Sequence, residues 1–309
     1  MQVIESYIVE QYQRLVAMPQ YQTLMELPPL KRWAVIVGVF LLSQLLFFGL
    51  LYLLFGKTVV IGFIASILAG LATGVGALPA LFFKQISERL FASMLGMAAG
   101  VMLAATAFSL LLPGIEYGNQ IWPQKGLWVV SLGMLLGAAF LHFADKRLPH
   151  LHFDSVPNHH LESLQKISLF IIAITIHNFP EGMAVGVSFG SGEIKNGLVL
   201  AIAVALQNIP EGLAVALPLV GLGYNKWRAV GLATLTGLVE PVGGFLGITM
   251  VTLFSSILPV ALGFAGGAML FVITEEIIPE THVNGRSRIA TFSLMIGFII
   301  MMILDRILT

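Results

Sequence analysis

Long apolar runs with few charges dominate the chain from residue 33 onwards. A helix that crosses a bilayer needs about 20 apolar residues, and each run is long enough for at least one crossing. The runs are 33–56, 58–83, 90–115, 126–144, 167–192, 196–225, 229–274 and 289–308. The run 229–274 is too long for one helix, and turn residues at Ser255, Ser256 and Pro259 divide it. The pattern therefore predicts nine membrane-spanning helices, with the two termini on opposite sides.

Basic residues are distributed unequally over the connecting loops. Twelve Lys and Arg residues fall on the side of the amino terminus, and four fall on the other side. Short loops rich in Lys and Arg remain in the cytoplasm, so we expect a cytoplasmic amino terminus and an external carboxyl terminus. Residues 1–32 lack a basic start followed by an apolar run, as a cleaved signal peptide would have. We expect them to form a cytoplasmic or interfacial segment.

The composition agrees with a membrane protein: 57% of the residues are hydrophobic, 10% are charged, and the mean hydropathy is +0.92. These values exclude a water-soluble domain. The net charge of zero gives no electrostatic basis for nucleic-acid binding. Because the chain has no cysteine, a metal ion could be bound only by oxygen, imidazole nitrogen or thioether sulfur.

Two predicted spans carry related motifs with an acid in the apolar run. Residues 177–186 read HNFPEGMAVG, and residues 207–216 read QNIPEGLAVA. In each motif the first and second side chains share a helix face with the fifth, because they precede it by four and three residues. These side chains are His177, Asn178 and Glu181 in the first motif, and Gln207, Asn208 and Glu211 in the second.

A third intramembrane acid, Glu240, precedes Pro241 in the next span. An ionised carboxylate at the bilayer centre costs at least about 2.5 kcal/mol, and His177 is the only side chain at this depth that could become a cation. A divalent metal ion would neutralise the acids, and carboxylate with imidazole suits a transition metal. We therefore expect a metal site here; the alternative is a structural polar cluster between helices.

These motifs, with Glu240 and the segment EEIIPETHVNG at 275–285, resemble the ZIP (Zrt-/Irt-like) metal transporters, and specifically their GufA-like branch. The resemblance implies an all-α eight-helix core arranged 3+2+3 with an inverted repeat over 57–309, so that the span 33–56 is an extra helix. It implies a homodimer in the cytoplasmic (inner) membrane. It also implies import of Zn²⁺, and of Cd²⁺, Fe²⁺ or Mn²⁺, by alternating access, with the metal as substrate and no catalytic cofactor.

The resemblance also implies a two-metal centre. By position, the first site would consist of Met102, His177, Glu181, Gln207 and Glu211. The second would consist of Asn178, Asn208 and Glu240, and it would share Glu181 and Glu211 with the first. Many relatives have His at the position of Gln207, and some have Asp at that of Asn208. Because both amides are neutral, three negative charges would face four positive ones, and we expect a weak second site.

Two further groups of residues are candidates for the ends of a transport path. Ser109 and Glu116 follow Met102 at seven-residue steps, so regular α-helical spacing would place all three on one face and the later two towards the outside. The alternative is a packed hydroxyl and a solvated acid. On the cytoplasmic side the candidate exit residues are Asp145, His150, His152, Glu275, Glu276 and His282. Those in the loop at about 145–166 could equally be solvated residues without a metal.

Pairs of glycines recur four residues apart, at Gly96 and Gly100, Gly182 and Gly186, Gly243 and Gly247, and Gly263 and Gly267. This spacing is typical of closely packed membrane helices.

A metal importer is the first functional hypothesis, and an intramembrane metal-dependent hydrolase and a non-transporting metal sensor are the alternatives. The sequence has no phosphate-binding loop of the G-x-x-x-x-G-K-[ST] type, which argues against an ATP-driven pump.

Overall fold

The computed structural model describes residues 13–14, 16–83, 87–146, 161–221, 223–281 and 287–308, without the side chains of residues 145, 161–170, 173, 177, 276, 280 and 308. The helices, in chain order, are α1 (Pro19–Glu26), α2 (Pro29–Phe55), α3 (Lys57–Ala77), α4 (Glu88–Ala105), α5 (Leu112–Ile121), α6 (Gly126–Lys146), α7 (Leu161–Gly190), α8 (Ile194–Gly221), α9 (Lys226–Gly237), α10 (Glu240–Leu253), α11 (Leu258–Val272), α12 (Ile278–Thr281) and α13 (Ser287–Leu308). The described residues form no β-strand. The expected all-α membrane fold is confirmed.

The predicted spans correspond to these helices. Among the described residues, eight stretches are long and apolar enough to cross a membrane. The remaining predicted span, 167–192, falls on α7, which has 30 residues. The predicted division of 229–274 is also correct, because α10 ends at Leu253 and α11 begins at Leu258.

The chain divides into two compact units, one ending at Leu54 and the other beginning at Phe55. The first unit contains α1 and nearly all of α2. Side chains such as Val39, Leu46 and Leu53 on α2 are largely exposed, as expected of a helix that contacts lipid. The assignment of 33–56 as a span additional to the core stays a prediction, as do the proposed boundaries at 32 and 57.

In the second unit, four helix pairs make the closest contacts: α3 with α8, α7 with α10, α4 with α13, and α6 with α11. The eight spans of this unit, in chain order, are α3, α4 with α5, α6, α7, α8, α9 with α10, α11 with α12, and α13. If the first, second and third spans exchange places with the sixth, seventh and eighth, and α7 with α8, the same four pairs are obtained. Joining these pairs through the close glycine contacts described below gives two groups of helices. We call α3, α7, α8, α9 and α10 the first bundle, and α4, α5, α6, α11, α12 and α13 the second bundle.

Glycines bring the paired backbones together. A Cβ atom added to Gly100, Gly186, Gly212 or Gly267 would collide with a backbone carbonyl oxygen of the partner helix, at Leu294, Gly244, Thr73 and Met134 respectively. The predicted role of the spaced glycines in close packing agrees with these contacts. Wherever a Cβ added to a described glycine after Phe55 would come within 3.0 Å of another helix, that helix belongs to the same bundle as the glycine.

Two spans contain π-helical turns. Thr106–Leu111 joins α4 to α5, and Ile273–Ile277 joins α11 to α12. The second and seventh spans of the core, which correspond in the exchange above, therefore share this irregularity. Each π-helical turn precedes a proline, Pro113 or Pro279. The expectation of regular α-helical spacing through 90–115 is therefore wrong, because a π-helical turn holds more residues than an α-helical one.

Candidate metal centre

The first motif lies within α7, which continues through Pro180. Asn178 and Glu181 are buried, and the backbone of His177 is helical one residue before Asn178. The side chain of His177 lies outside the described part of the structure, so its role as a ligand stays a prediction. The helix thus places a carboxylate and a carboxamide inside the protein, far from either helix end.

The second motif lies within α8, which likewise continues through Pro210. Gln207 is buried and Glu211 is half-buried. The Nε2 atom of Gln207 donates a hydrogen bond to Oε1 of Glu181 over 2.5 Å. The predicted meeting of the two motifs is therefore seen directly in this pair.

Glu240 is the first residue of α10 and is completely buried. One helix ends at Gly237 and the next begins at Glu240, and Pro241, which has no N–H group, lies in the first turn of α10. The Nδ2 atom of Asn208 donates to Oε1 of Glu240 over 2.6 Å and to the carbonyl oxygen of Ala69 over 2.8 Å. Asn208 therefore joins α8 to α3 and to α10.

Several buried neutral polar atoms at this place have no hydrogen-bond partner within the described residues. They are Nδ2 and Oδ1 of Asn178, Oε1 of Gln207 and Oδ1 of Asn208. A buried polar group without a partner costs about 1–3 kcal/mol. An amide oxygen has lone pairs suited to a cation, so a bound ion would remove part of this cost.

Acids outnumber bases among the buried side chains that the structure describes. Glu181 and Glu240 are buried, whereas no Lys or Arg is buried in the described part of the chain. Within that part, no three His, Cys, Asp or Glu side chains form a cluster able to hold a metal ion by themselves. Any site built from the described residues therefore has to include the amide oxygens as well as the carboxylates.

Met102 belongs to α4 in the second bundle, and its side chain is buried in the apolar core. Its backbone carbonyl accepts a hydrogen bond from Oγ1 of Thr106 over 2.8 Å. These contacts are those of a core methionine, and its role as a thioether ligand stays a prediction.

The candidate entrance residues differ in their surroundings. Ser109 is buried and donates a hydrogen bond to Oδ1 of Asp305 in α13 over 2.8 Å, whereas Glu116 is exposed. The predicted common face of Met102, Ser109 and Glu116 assumed regular α-helical spacing, and the π-helical turn at Thr106–Leu111 breaks that spacing. The sequence analysis did not single out Asp305, although an acid inside the last predicted span was a usable signal.

The candidate exit residues are only partly described. Glu275 is exposed in the π-helical turn Ile273–Ile277. His150, His152 and His282 lie outside the described residues, as do the side chains of Asp145 and Glu276. The exit site stays a prediction.

Comparison with known proteins identifies the family. The family described as ZIP Zinc transporter matches residues 158–305. Zinc transporter GufA of Myxococcus xanthus is 43% identical over 248 residues, which cover 79% of this chain and 97% of that protein. The chain belongs to the ZIP family. Zinc transporter ZIPB of Bordetella bronchiseptica is also 43% identical, over 76% of this chain and 77% of that protein.

A human protein, Zinc transporter ZIP11, is 35% identical over 75% of this chain and 93% of that protein. The similarity to GufA confirms the GufA-like branch that the motifs indicated. Because these ZIP relatives are named as transporters and not as enzymes, the hydrolase hypothesis is set aside.

Proposed function

We propose that this ZIP protein imports divalent transition-metal ions, with Zn²⁺ as the principal substrate and Cd²⁺, Fe²⁺ and Mn²⁺ as further substrates. The observation that carries the proposal is the pair of buried hydrogen bonds Gln207–Glu181 and Asn208–Glu240. They hold two carboxylates and two amide oxygens inside a membrane protein, without a buried Lys or Arg in the described residues. Three of its relatives are named zinc transporters.

The proposed orientation of the chain in the membrane follows from the loop charges. The side that carries twelve of the 16 Lys and Arg residues is cytoplasmic by the positive-inside rule. The amino terminus is then cytoplasmic and the carboxyl terminus external, in a bacterial inner membrane. Ser109 and Glu116 then lie towards the external end and Glu275 towards the cytoplasmic end of the path.

The grouping of the helices supports alternating access by movement of one bundle against the other. Glu181, Glu211 and Glu240 all belong to the first bundle, whereas Met102 belongs to the second and Ser109 to the π-helical turn that joins α4 to α5 of the second. The tight glycine contacts lie within each bundle, so each bundle can move as a rigid body without separating interlocked backbones. The ion would travel with the carboxylates of the first bundle.

Metal uptake by the purified full chain in lipid vesicles tests this function. With a metal-sensitive dye inside, externally added Zn²⁺ is expected to produce a saturable signal that empty vesicles lack. Competition by unlabelled Cd²⁺, Fe²⁺ and Mn²⁺ then ranks the substrates. Binding of Zn²⁺ without flux would contradict transport and favour the sensor hypothesis.

A further inference from the structure

Helical threonines in this protein usually hydrogen-bond to their own backbone. Hydroxyl groups of this type donate to the carbonyl three or four residues earlier, as they do at Thr106, Thr175, Thr234, Thr252 and Thr274. Thr73 in α3 does not show this hydrogen bond. Its side chain is completely buried, and its Oγ1 atom has no hydrogen-bond partner in the described structure.

The metal centre offers an explanation for this departure. The carbonyl four residues before Thr73 is that of Ala69, which accepts the hydrogen bond from Nδ2 of Asn208. The same Nδ2 atom also donates to Glu240. Thr73 therefore lies one helical turn from the point at which Asn208 contacts α3, and its hydroxyl group remains available for another partner.

Contacts on both sides place Thr73 between the segments that carry two of the acids. A Cβ atom added to Gly212, the residue after Glu211, would collide with the backbone carbonyl of Thr73. A Cβ atom added to Gly237, which ends α9 just before Glu240, would lie 2.6 Å from Oγ1 of Thr73. The backbone of Thr73 thus packs against α8, and its hydroxyl group lies beside the junction of α9 and α10.

We propose that Thr73 supplies its hydroxyl oxygen as a neutral ligand to the ion site formed by Asn208 and Glu240, an inference that rests on the proposed transport function. The donor atoms are then a carboxylate, an amide oxygen and a hydroxyl oxygen. Oxygen donors of this kind suit hard cations such as Mn²⁺ better than soft ones. Thr73 therefore raises the preference of this site for Mn²⁺ over Cd²⁺.

Three variants of the full chain test the proposal. Thr73→Val keeps the shape of the side chain and removes the oxygen, whereas Thr73→Ser keeps the oxygen. Thr249→Val is the matched control, because the Thr249 hydroxyl also lacks a hydrogen bond among the described residues but lies more than two helical turns beyond Glu240. Titration calorimetry with Mn²⁺ and with Cd²⁺, each alone, measures binding, and vesicle uptake measures selectivity.

We expect Thr73→Val to weaken Mn²⁺ binding about tenfold or more, within the range known for lost metal-site partners, and to change Cd²⁺ binding much less. Thr73→Ser and Thr249→Val should bind both ions as the unchanged protein does. Equal weakening for both ions, or an unchanged Mn²⁺ affinity in Thr73→Val, would overturn the proposal.

The same experiment separates this proposal from the proposed function. If the unchanged protein transports metal and Thr73→Val keeps its Mn²⁺ affinity, the role of Thr73 is refuted while transport stands. If the unchanged protein neither binds nor transports any of the ions, the proposed function itself is refuted. Thermal unfolding of each variant identifies any loss that comes from misfolding.

Discussion

The two carboxamides in the centre hold the carboxylates in place. Gln207 donates to Glu181, and Asn208 donates to Glu240, so each amide directs its N–H group at a carboxylate. The amide oxygens at Gln207 and Asn208 accept no hydrogen bond from the described residues. Each amide therefore orients a charged ligand and still has an oxygen available for an ion.

Glu211 provides the sharpest test of the centre at the scale of one residue. It is one of the two carboxylates, with Glu181, that the family resemblance assigns to both ions, so we expect Glu211→Ala to abolish Zn²⁺ uptake into vesicles. Glu193→Ala is the matched control, because Glu193 is exposed just before α8 and bonds to Asn196. Full uptake by a correctly folded Glu211→Ala variant would refute the assignment.

Asn208→Asp is expected to have opposite effects without and with metal. Without metal, the change removes the hydrogen bonds to Glu240 and Ala69 and places two carboxylates together, so the melting temperature should fall. With Zn²⁺, the added charge should tighten binding, so the metal-induced increase in melting temperature should exceed that of the unchanged protein. An equal or smaller increase would contradict a second ion at Asn208.

At the scale of the helix, glycines fix the distance between partners. A Cβ on Gly100 would collide with the carbonyl of Leu294, whereas the space around Gly231 in α9 is open. We expect Gly100→Ala to destabilise the protein by about 1–3 kcal/mol through overpacking. Gly231→Ala should be neutral or slightly stabilising, because alanine favours a helix. Thermal unfolding in detergent measures both, and equal stabilities would contradict the packing.

The positions of the helices follow from the sequence because a membrane imposes a simple pattern. Long apolar runs with few charges mark the spans, and Ser255, Ser256 and Pro259 mark the turn between α10 and α11. The π-helical turns have no such signal. Thr106–Leu111 lies in an apolar run that reads like any other part of a span, and only the packed structure shows its extra residue.

The sequence predicts only part of the candidate site, because it shows which acids are isolated in apolar runs but not which side chains contact them. The intramembrane positions of Glu181, Glu211 and Glu240 were visible as isolated acids in apolar runs. The partners of the carboxylates were not, since Gln207 and Asn208 could have faced several neighbours. Thr73 gave no signal at all, because a threonine in an apolar helix usually bonds to its own backbone.

At the scale of the whole molecule, the proposed mechanism requires the two bundles to move relative to each other. The chain has no cysteine, so disulfides can be introduced one at a time. A disulfide between α8 of the first bundle and α4 of the second would link the two bundles, and we expect it to stop uptake until it is reduced. A disulfide between α4 and α13, both in the second bundle, should leave uptake unchanged. Undiminished uptake with the first disulfide formed would contradict bundle movement.

The homodimer implied by the family resemblance also stays a prediction at this scale. Among the core spans whose side chains are described throughout their apolar part, α6 and α13 are the least buried, with 22% and 17% of that part inside the protein. These faces contact either lipid or a second copy of the chain. The mass of the purified protein in detergent distinguishes the two.

The location of the bound ion tests the central claim most directly. Anomalous diffraction at the zinc absorption edge, from crystals grown with Zn²⁺, locates the ion without assumptions about its ligands. We predict an anomalous peak between α7 and α8, within bonding distance of Glu181 and Gln207, and a weaker one near Asn208 and Glu240. Zinc bound only elsewhere, with these side chains contacting no ion, would contradict the account.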